Sequence, residues 1–413
     1  MNVLSKFITR TKEYGIGYVL QTIVQNKIFT RIEVLNDTIG SFLFKRIPLK
    51  ETIILESHND FDSNGGAFYD YLIKHNFNEK YKIVWLLRNN KIKYVLPKNV
   101  KTVSLLKPSL KKIYYLYTSK YILTCHSVVG SKRAYQLSYY LTHGAIGLKS
   151  TKGKENLPKD LNYCLIPSEY FEEIFKDQYS IRGTDVQEVI LGFPSHDILY
   201  EPSNNEISKI TNKKFAKMIL WMPTFRKTMG FNRNDSLKEY PTGIPIFTGI
   251  KQVEELNNYL VEKNILLIVK IHPMQDLTQI KIHSCSNVIV LDGNKVKELD
   301  VDNYRLMKDA DALISDYSSV TFDYLHLNRP IAYTLDDKDD YKNGFIVENP
   351  ETLMAGPQLF TIDDFYAFIS DVEKENDTYA ERRKELFDTV FKYHDGNSCQ
   401  RLVEHMGLIS KEI

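Results

Sequence analysis

The chain has 413 residues, too many for one ordinary domain and suited to two of about 150–200 residues each. Apolar residues make up 43% of it, enough to bury two cores and to set disorder aside. A net charge of +2, from 54 basic and 52 acidic residues, gives no support to a nucleic-acid partner. Cys125, Cys164, Cys285 and Cys399 are scattered, with no CxxC pair and no Cys/His metal spacing, so a reduced cytosolic chain without a metal site is expected.

Residues 1–50 stand apart. Eight basic side chains, including Lys6, Arg10, Lys27, Arg31, Lys45 and Lys50, face only Glu13, Glu33 and Asp37, an excess of five. Leu4, Phe7, Tyr14, Tyr18, Ile23, Phe29 and Phe42 are interleaved with them. Such a segment suits the surface of an anionic membrane; it equally suits a helical leader packed on the first domain with a solvated basic face. It lacks the compact apolar core and small-residue cleavage site of a signal peptide, and no run of about 20 apolar residues follows. The expectation is a cytoplasmic protein, peripheral on the inner face of the membrane.

From residue 51 short apolar runs alternate with helical stretches. Strands are expected at Thr52–Glu56, Lys82–Leu87, Thr102–Leu106, Tyr121–Thr124, Tyr163–Ile166 and Glu188–Leu191, with helices such as 66–75 and 170–177 between them. A polar stretch at 201–208 reads as a linker. The rhythm restarts with strands at Met218–Trp221, Leu266–Ile271, Val288–Leu291, Ala312–Ser315 and Pro330–Thr334, and helices near 252–262 and 319–327. The expected fold is α/β, two doubly wound Rossmann-type lobes at 51–200 and 209–413, with ligands held at the carboxyl ends of strands in a central cleft.

Four strand ends carry chemistry. After the run 137–141 comes His143, with Gly144 and Gly147 allowing close backbone approach and Lys149 adding charge; an imidazole there suits a general base. Ile219-Leu-Trp-Met-Pro-Thr-Phe-Arg226 ends a strand with a cation that suits bidentate contact to phosphate, or else an arginine paired with a carboxylate. Leu266–Ile271 reads as a buried parallel strand with Lys270 and His272 alternating at its end and Pro273 stopping it. In Ala312-Leu-Ile-Ser-Asp-Tyr-Ser-Ser-Val-Thr-Phe-Asp323, Asp316, Ser318 and Ser319 sit on a turn before a helix, where backbone N–H groups favour a phosphate and Asp323 suits a hydroxyl. Each has a plain structural counterpart: a satisfied histidine, or an ordinary N-cap. Their combination points to an anionic ligand.

Taken together, these residues resemble the CDP-glycerol glycerophosphotransferase family of teichoic-acid and capsule synthesis. The likeness runs in order from Leu55-Glu-Ser-His-Asn-Asp60 and Leu141-Thr-His-Gly144 through Ile166-Pro-Ser-Glu-Tyr-Phe171, Leu191-Gly-Phe-Pro194, Met222-Pro-Thr-Phe-Arg226 and Lys270-Ile-His-Pro273 to Ile314-Ser-Asp-Tyr-Ser-Ser-Val320 and Arg329-Pro-Ile331. The resemblance implies a GT-B-like fold, no metal or other cofactor, and attack of an acceptor hydroxyl on the β-phosphorus of a CDP-polyol with release of CMP. It makes His143 the general base and His272 the group that meets phosphate charge or assists the leaving group. It places Gly144, Ala145, Pro223, Thr224, Arg226, Lys270, Ile271, Ser318, Ser319 and Asp323 on donor-binding positions. The implied partners are CDP-glycerol or a related CDP-polyol and a lipid-linked or polymeric acceptor. The chain departs from the family pattern at Ala145-Ile146, where Thr-Pro is usual, and at Ser195-His196, where an arginine is common. Glycerol phosphate is the default cargo and ribitol phosphate the alternative. A sugar transferase of the same fold, and a non-catalytic subunit binding a polymer, are the competing readings.

Overall fold

A computed structural model describes residues 34–89, 92, 95–144, 146–153, 156–228 and 235–409. Residues 1–33, which carry most of the basic segment, and Ala145 lie outside the described residues. The described chain forms two compact units. One comprises residues 34–144, Lys152–Tyr200 and the chain from Phe391 onward; the other comprises Ile146–Thr151 and Glu201–Val390. Besides the join at Tyr200–Glu201, the chain passes between the units in two further places. The six residues after the His-Gly loop belong to the second unit, and the C-terminal helix Ser398–His405 returns to the first.

The first unit is built on strands β1 (Lys50–Glu56), β2 (Lys82–Leu87), β3 (Val100–Ser104), β4 (Ser119–Thr124), β5 (Leu137–Tyr140), β6 (Tyr163–Leu165) and β7 (Gln187–Val189). They form one parallel sheet in the order β3-β2-β1-β4-β5-β6-β7. Ile54, Val84, Leu86, Val103, Tyr115 and Ile122 pack one of its faces as a buried cluster. A parallel sheet covered by helices is apolar on both faces, which is why β2 reads Ile-Val-Trp-Leu-Leu without alternation.

The second unit repeats the plan with β8 (Lys217–Trp221), β9 (Ile265–Lys270), β10 (Val288–Leu291), β11 (Ala312–Ser315), β12 (Ile331–Thr334) and the two-residue β13 (Gln358–Leu359). Its order is β10-β9-β8-β11-β12-β13, again all parallel. Trp221 packs against the rings of Phe247 and Phe365 at its centre. Each sheet therefore reverses strand order at one point, β1/β4 in the first and β8/β11 in the second. Outside the carboxyl ends of strands at such a point lies the crevice that α/β sheets use for ligands.

The helix expected at 319–327 is short. It is α-helical only over Val320–Asp323, then tightens into a 3-10 turn, Tyr324–Leu327, closed by Asn328 in the left-handed region. The fully buried Tyr324 sends its hydroxyl to the carbonyl of Ala310, pinning this turn onto the sheet.

Candidate active site

In the first unit the switch point is closed by a carboxylate. Glu56, the last residue of β1 and fully buried, accepts the backbone N–H groups of Cys125, His126 and Ser127 beyond β4, at 3.2, 2.9 and 3.0 Å. Fully buried Asn64 ties the next loop: its Nδ2 donates to the carbonyls of Leu141 (2.8 Å) and Thr142 (3.1 Å). Its Oδ1 accepts from the N–H (3.0 Å) and hydroxyl (2.7 Å) of Ser195. The serine that departs from the family pattern thus supports the histidine loop through Asn64. Thr142 sits at φ 60°, costly for a β-branched residue, with its hydroxyl donating to the carbonyl of Gly144 at 2.7 Å. Gly144, at φ 135°, turns the chain immediately after His143. His143 is left exposed at the carboxyl edge, its carbonyl accepting from the Ser63 hydroxyl at 3.4 Å.

In the second unit the switch point has the same device. Asp316, fully buried after β11, accepts the N–H of Thr224 (3.0 Å) and its hydroxyl (3.0 Å) from the loop after β8. Arg226 completes the network. Its Nη1 donates to Asp316 at 2.7 Å and to Thr224 Oγ1 at 2.6 Å, and its Nε and Nη2 donate to Asp337 at 2.7 and 3.1 Å. Tyr317 donates to the same Asp337 carboxylate at 3.0 Å. Of the two roles open to Arg226, pairing with carboxylates is what the geometry shows, in the interior rather than at the surface. These bonds tie it to the loop that carries Pro223 and Thr224.

His272 and Lys270 leave the end of β9. Met274 N–H donates to Nδ1 of His272 at 3.1 Å, so Nδ1 accepts and the proton of the neutral ring sits on Nε2. The His272 ring lies 4.9 Å from that of Phe225, and the Lys149 ammonium sits 5.5 Å from the centroid of the same ring. Lys270 is nearly buried. Burial lowers its pKa to about 8, against an opposing pull from Asp302. Among the described residues no carboxylate lies within salt-bridge distance of Lys270, and an incoming phosphate would add the charge that stabilises it. Ile271 is buried and continues the sheet with a backbone bond to Leu291.

Ser318 and Ser319 are half-buried on the turn after β11, and Asp323 is buried beneath them. Ser318 caps weakly, its hydroxyl accepting from Val320 N–H at 3.4 Å. Gly147, expected to let backbone approach a ligand, approaches this turn instead: a Cβ there would sit 2.7 Å from Ser319 N and 2.8 Å from Tyr317 O. The segment is held by Lys149 N–H to Tyr317 O and by Ile346 N–H to Leu148 O.

Two site features carried no assigned role in the sequence, although His58 stands in the Leu55–Asp60 motif. His58 follows β1 as His143 follows β5, and His126 follows β4; their rings form one stack with that of His143. Asn64 carried no local signal. Among the described residues no group of three or more His, Cys, Asp or Glu side chains could hold a metal ion.

Residues 41–407 match the family described as CDP-Glycerol:Poly(glycerophosphate) glycerophosphotransferase. The chain belongs to that family. Membership makes it a transferase of the CDP-glycerol glycerophosphotransferase type, as the motifs implied. It is similar to the teichoic acid poly(glycerol phosphate) polymerase of Bacillus spizizenii, 26% identical over 93% of this chain and 100% of that one. It is also similar to the teichoic acid glycerol-phosphate primase of Bacillus subtilis, 28% identical over 71% of this chain and 75% of that one. A solved structure of the wall teichoic acid polymerase TagF covers 95% of this chain and 98% of its own, at 18% identity and a TM-score of 0.72. That likeness carries the fold, and the two Rossmann-type sheets agree with the expected GT-B-like architecture.

Proposed function

We propose that the chain moves glycerol phosphate from CDP-glycerol onto a lipid-linked or polymeric acceptor in teichoic-acid-type polymer synthesis. The observation that carries the reading is placement: His143, Pro223-Thr224, Lys270–His272 and Ser318-Ser319 all leave the carboxyl ends of parallel strands, those of the second unit on either side of its switch point. In this reading His143 takes the proton of the acceptor hydroxyl as its oxygen attacks the β-phosphorus. The bond from that phosphorus to the CMP oxygen breaks, and CMP leaves with the electron pair. His272, through Nε2–H, and Lys270 stabilise the charge on the transferring phosphate. Ser318, Ser319 and Asp323 take the polar groups of the donor, while Arg226 holds Thr224 in place.

CMP release from CDP-glycerol, measured with and without a lipid-linked acceptor, tests this. His143→Ala and His272→Ala should each lower kcat by about 100-fold or more. Unchanged release in both would sink the assignment. Glycerol is the favoured cargo because the family description and the two relatives named above specify it; parallel assays with CDP-ribitol decide the cargo.

The membrane-surface reading of the N-terminal segment is also proposed, from its described part. Residues 34–44 are helical. Gly40 lies so close to Tyr117 that a Cβ would meet the ring at 2.1 Å, and the Tyr117 hydroxyl donates to the Asp37 carbonyl at 2.8 Å. That face packs as a leader would. Phe42, Leu35 and Val34 remain exposed beside Lys45 and Arg46, a pairing suited to anionic lipid.

A further inference from the structure

Strands β1, β4 and β5 are neighbours in the first sheet, and each is followed two or three residues later by a histidine: His58, His126 and His143. Adjacent strands lie about 4.8 Å apart. That is also the spacing at which flat rings stack, and the three imidazoles do so. His58 and His126 have ring centroids 4.4 Å apart, and His126 and His143 are 5.0 Å apart with planes within 11°.

The middle ring is fixed by more than stacking. Arg88 Nη2 lies 2.9 Å from His126 Nδ1 and also donates to the Ser127 hydroxyl. Its Nη2 is 3.6 Å from buried Glu56, and Asp60 accepts the backbone N–H groups of Arg88 and Asn89, each at 2.8 Å. A guanidinium has donors and no acceptor, so Nδ1 of His126 must be the acceptor and its proton must sit on Nε2. Protonating His126 would set an N–H against an N–H and one cation against another. The groups facing this ring are His58, His143 and Arg88; the Glu56 carboxylate accepts the backbone N–H of His126, and Asp62 acts on His58. Burial, then the neighbouring His143, His58 and Arg88, all push the His126 pKa down.

We propose that His126, kept as a neutral ring by Arg88 and held in place by Glu56 at its backbone N–H, is a positioning residue for His143. The flat face of His126 sets the plane in which the His143 imidazole lies, and so the direction of its nitrogens. A neutral π face also tolerates a cation beside it, where a second imidazolium would repel one. His143 can then hold the acceptor proton through the transfer while His126 takes no part in the proton movement. This rests on the reading of His143 as the base.

The test is CMP release from CDP-glycerol with a lipid-linked acceptor, using the full chain and its His126→Ala, His126→Phe and His143→Ala variants. His126→Ala should lower kcat about 10–100-fold, the scale at which supporting residues act, with the donor KM changed by no more than about twofold. His126→Phe restores a flat ring and should recover most of that loss. Wild-type kcat in His126→Ala, or equal losses in the Ala and Phe variants, overturns the proposal while leaving His143 as the base. Wild-type kcat in His143→Ala overturns the base assignment and this proposal together. Nitrogen NMR of the imidazoles gives a readout independent of turnover. His126 should stay in the neutral Nε2–H form between about pH 5 and 8, and titration near the ordinary histidine value would refute the lock.

Discussion

Arg226 shows what burial does to the meaning of a residue. An exposed arginine at a strand end is a phosphate ligand in waiting; the same side chain between Asp316 and Asp337 is a cation that two buried carboxylates require. Replacing it with Met fills much of the volume but leaves both carboxylates uncompensated, so Arg226→Met should destabilise the protein by about 3–5 kcal/mol. Denaturant unfolding measures this. A donor KM raised about tenfold with unchanged stability would show instead that the guanidinium reaches the ligand. The candidate site itself was legible in part, because a histidine or lysine after an apolar run marks a strand end. His143, Lys270 and His272 became candidates in that way. His58 and His126 bear the same mark, yet their meaning depends on β1, β4 and β5 being neighbours, and strand order is not written in any local pattern. Glu56 and Asn64 were hidden for a related reason: each acts on a backbone remote in sequence.

Elements were read well where period and length agree. The expected strands at Lys82–Leu87, Val288–Leu291 and Ala312–Ser315 coincide with β2, β10 and β11. The two-residue β13 escaped notice because two residues have no periodicity. The return of Ser398–His405 to the first unit also went unseen. It depends on tertiary partners: the Asp197 carboxylate accepts the N–H groups of Ser398 and Cys399, each at 2.8 Å, and His405 meets the Tyr139 hydroxyl at 2.9 Å. The helix at 34–44 carries the test of membrane contact. Phe42 is 84% exposed and Leu43 46% exposed, while Gly40 and Asp37 carry the packing on Tyr117. Phe42→Glu combined with Leu43→Glu should therefore leave folding intact and reduce flotation with vesicles rich in anionic lipid by about tenfold. Flotation equal to the unaltered protein would remove this helix from the contact.

Across the whole molecule one plan appears twice: a parallel sheet with a single reversal, and a buried carboxylate bridging the two strands that flank it. The units differ in how they respond to pH, because each buries a titratable side chain that ordinarily stays charged. In the first unit burial raises Glu188 on β7 from 4.5 to about 7, with Lys176 opposing. Between those values the folded chain binds more protons than the unfolded one, so stability falls as pH rises through this window. In the second unit burial lowers Lys270 from 10.5 to about 8. Here the unfolded chain binds more protons, so stability rises from about pH 8 to 10.5, and the full penalty is present below pH 8. Glu188→Gln should accordingly stabilise the protein by about 1–2 kcal/mol at pH 8 and leave it unchanged near pH 4. Lys270→Met should stabilise it by a similar ~1–2 kcal/mol at pH 7, flatten the alkaline rise, and raise the donor KM. Calorimetry across pH, with donor kinetics on the same variants, checks each window separately. A Lys270→Met protein less stable at pH 7 than the unaltered chain would mean that the ammonium is already paired. A more stable but weakly binding one would show that the second unit gives up folding free energy to keep a cation ready for phosphate.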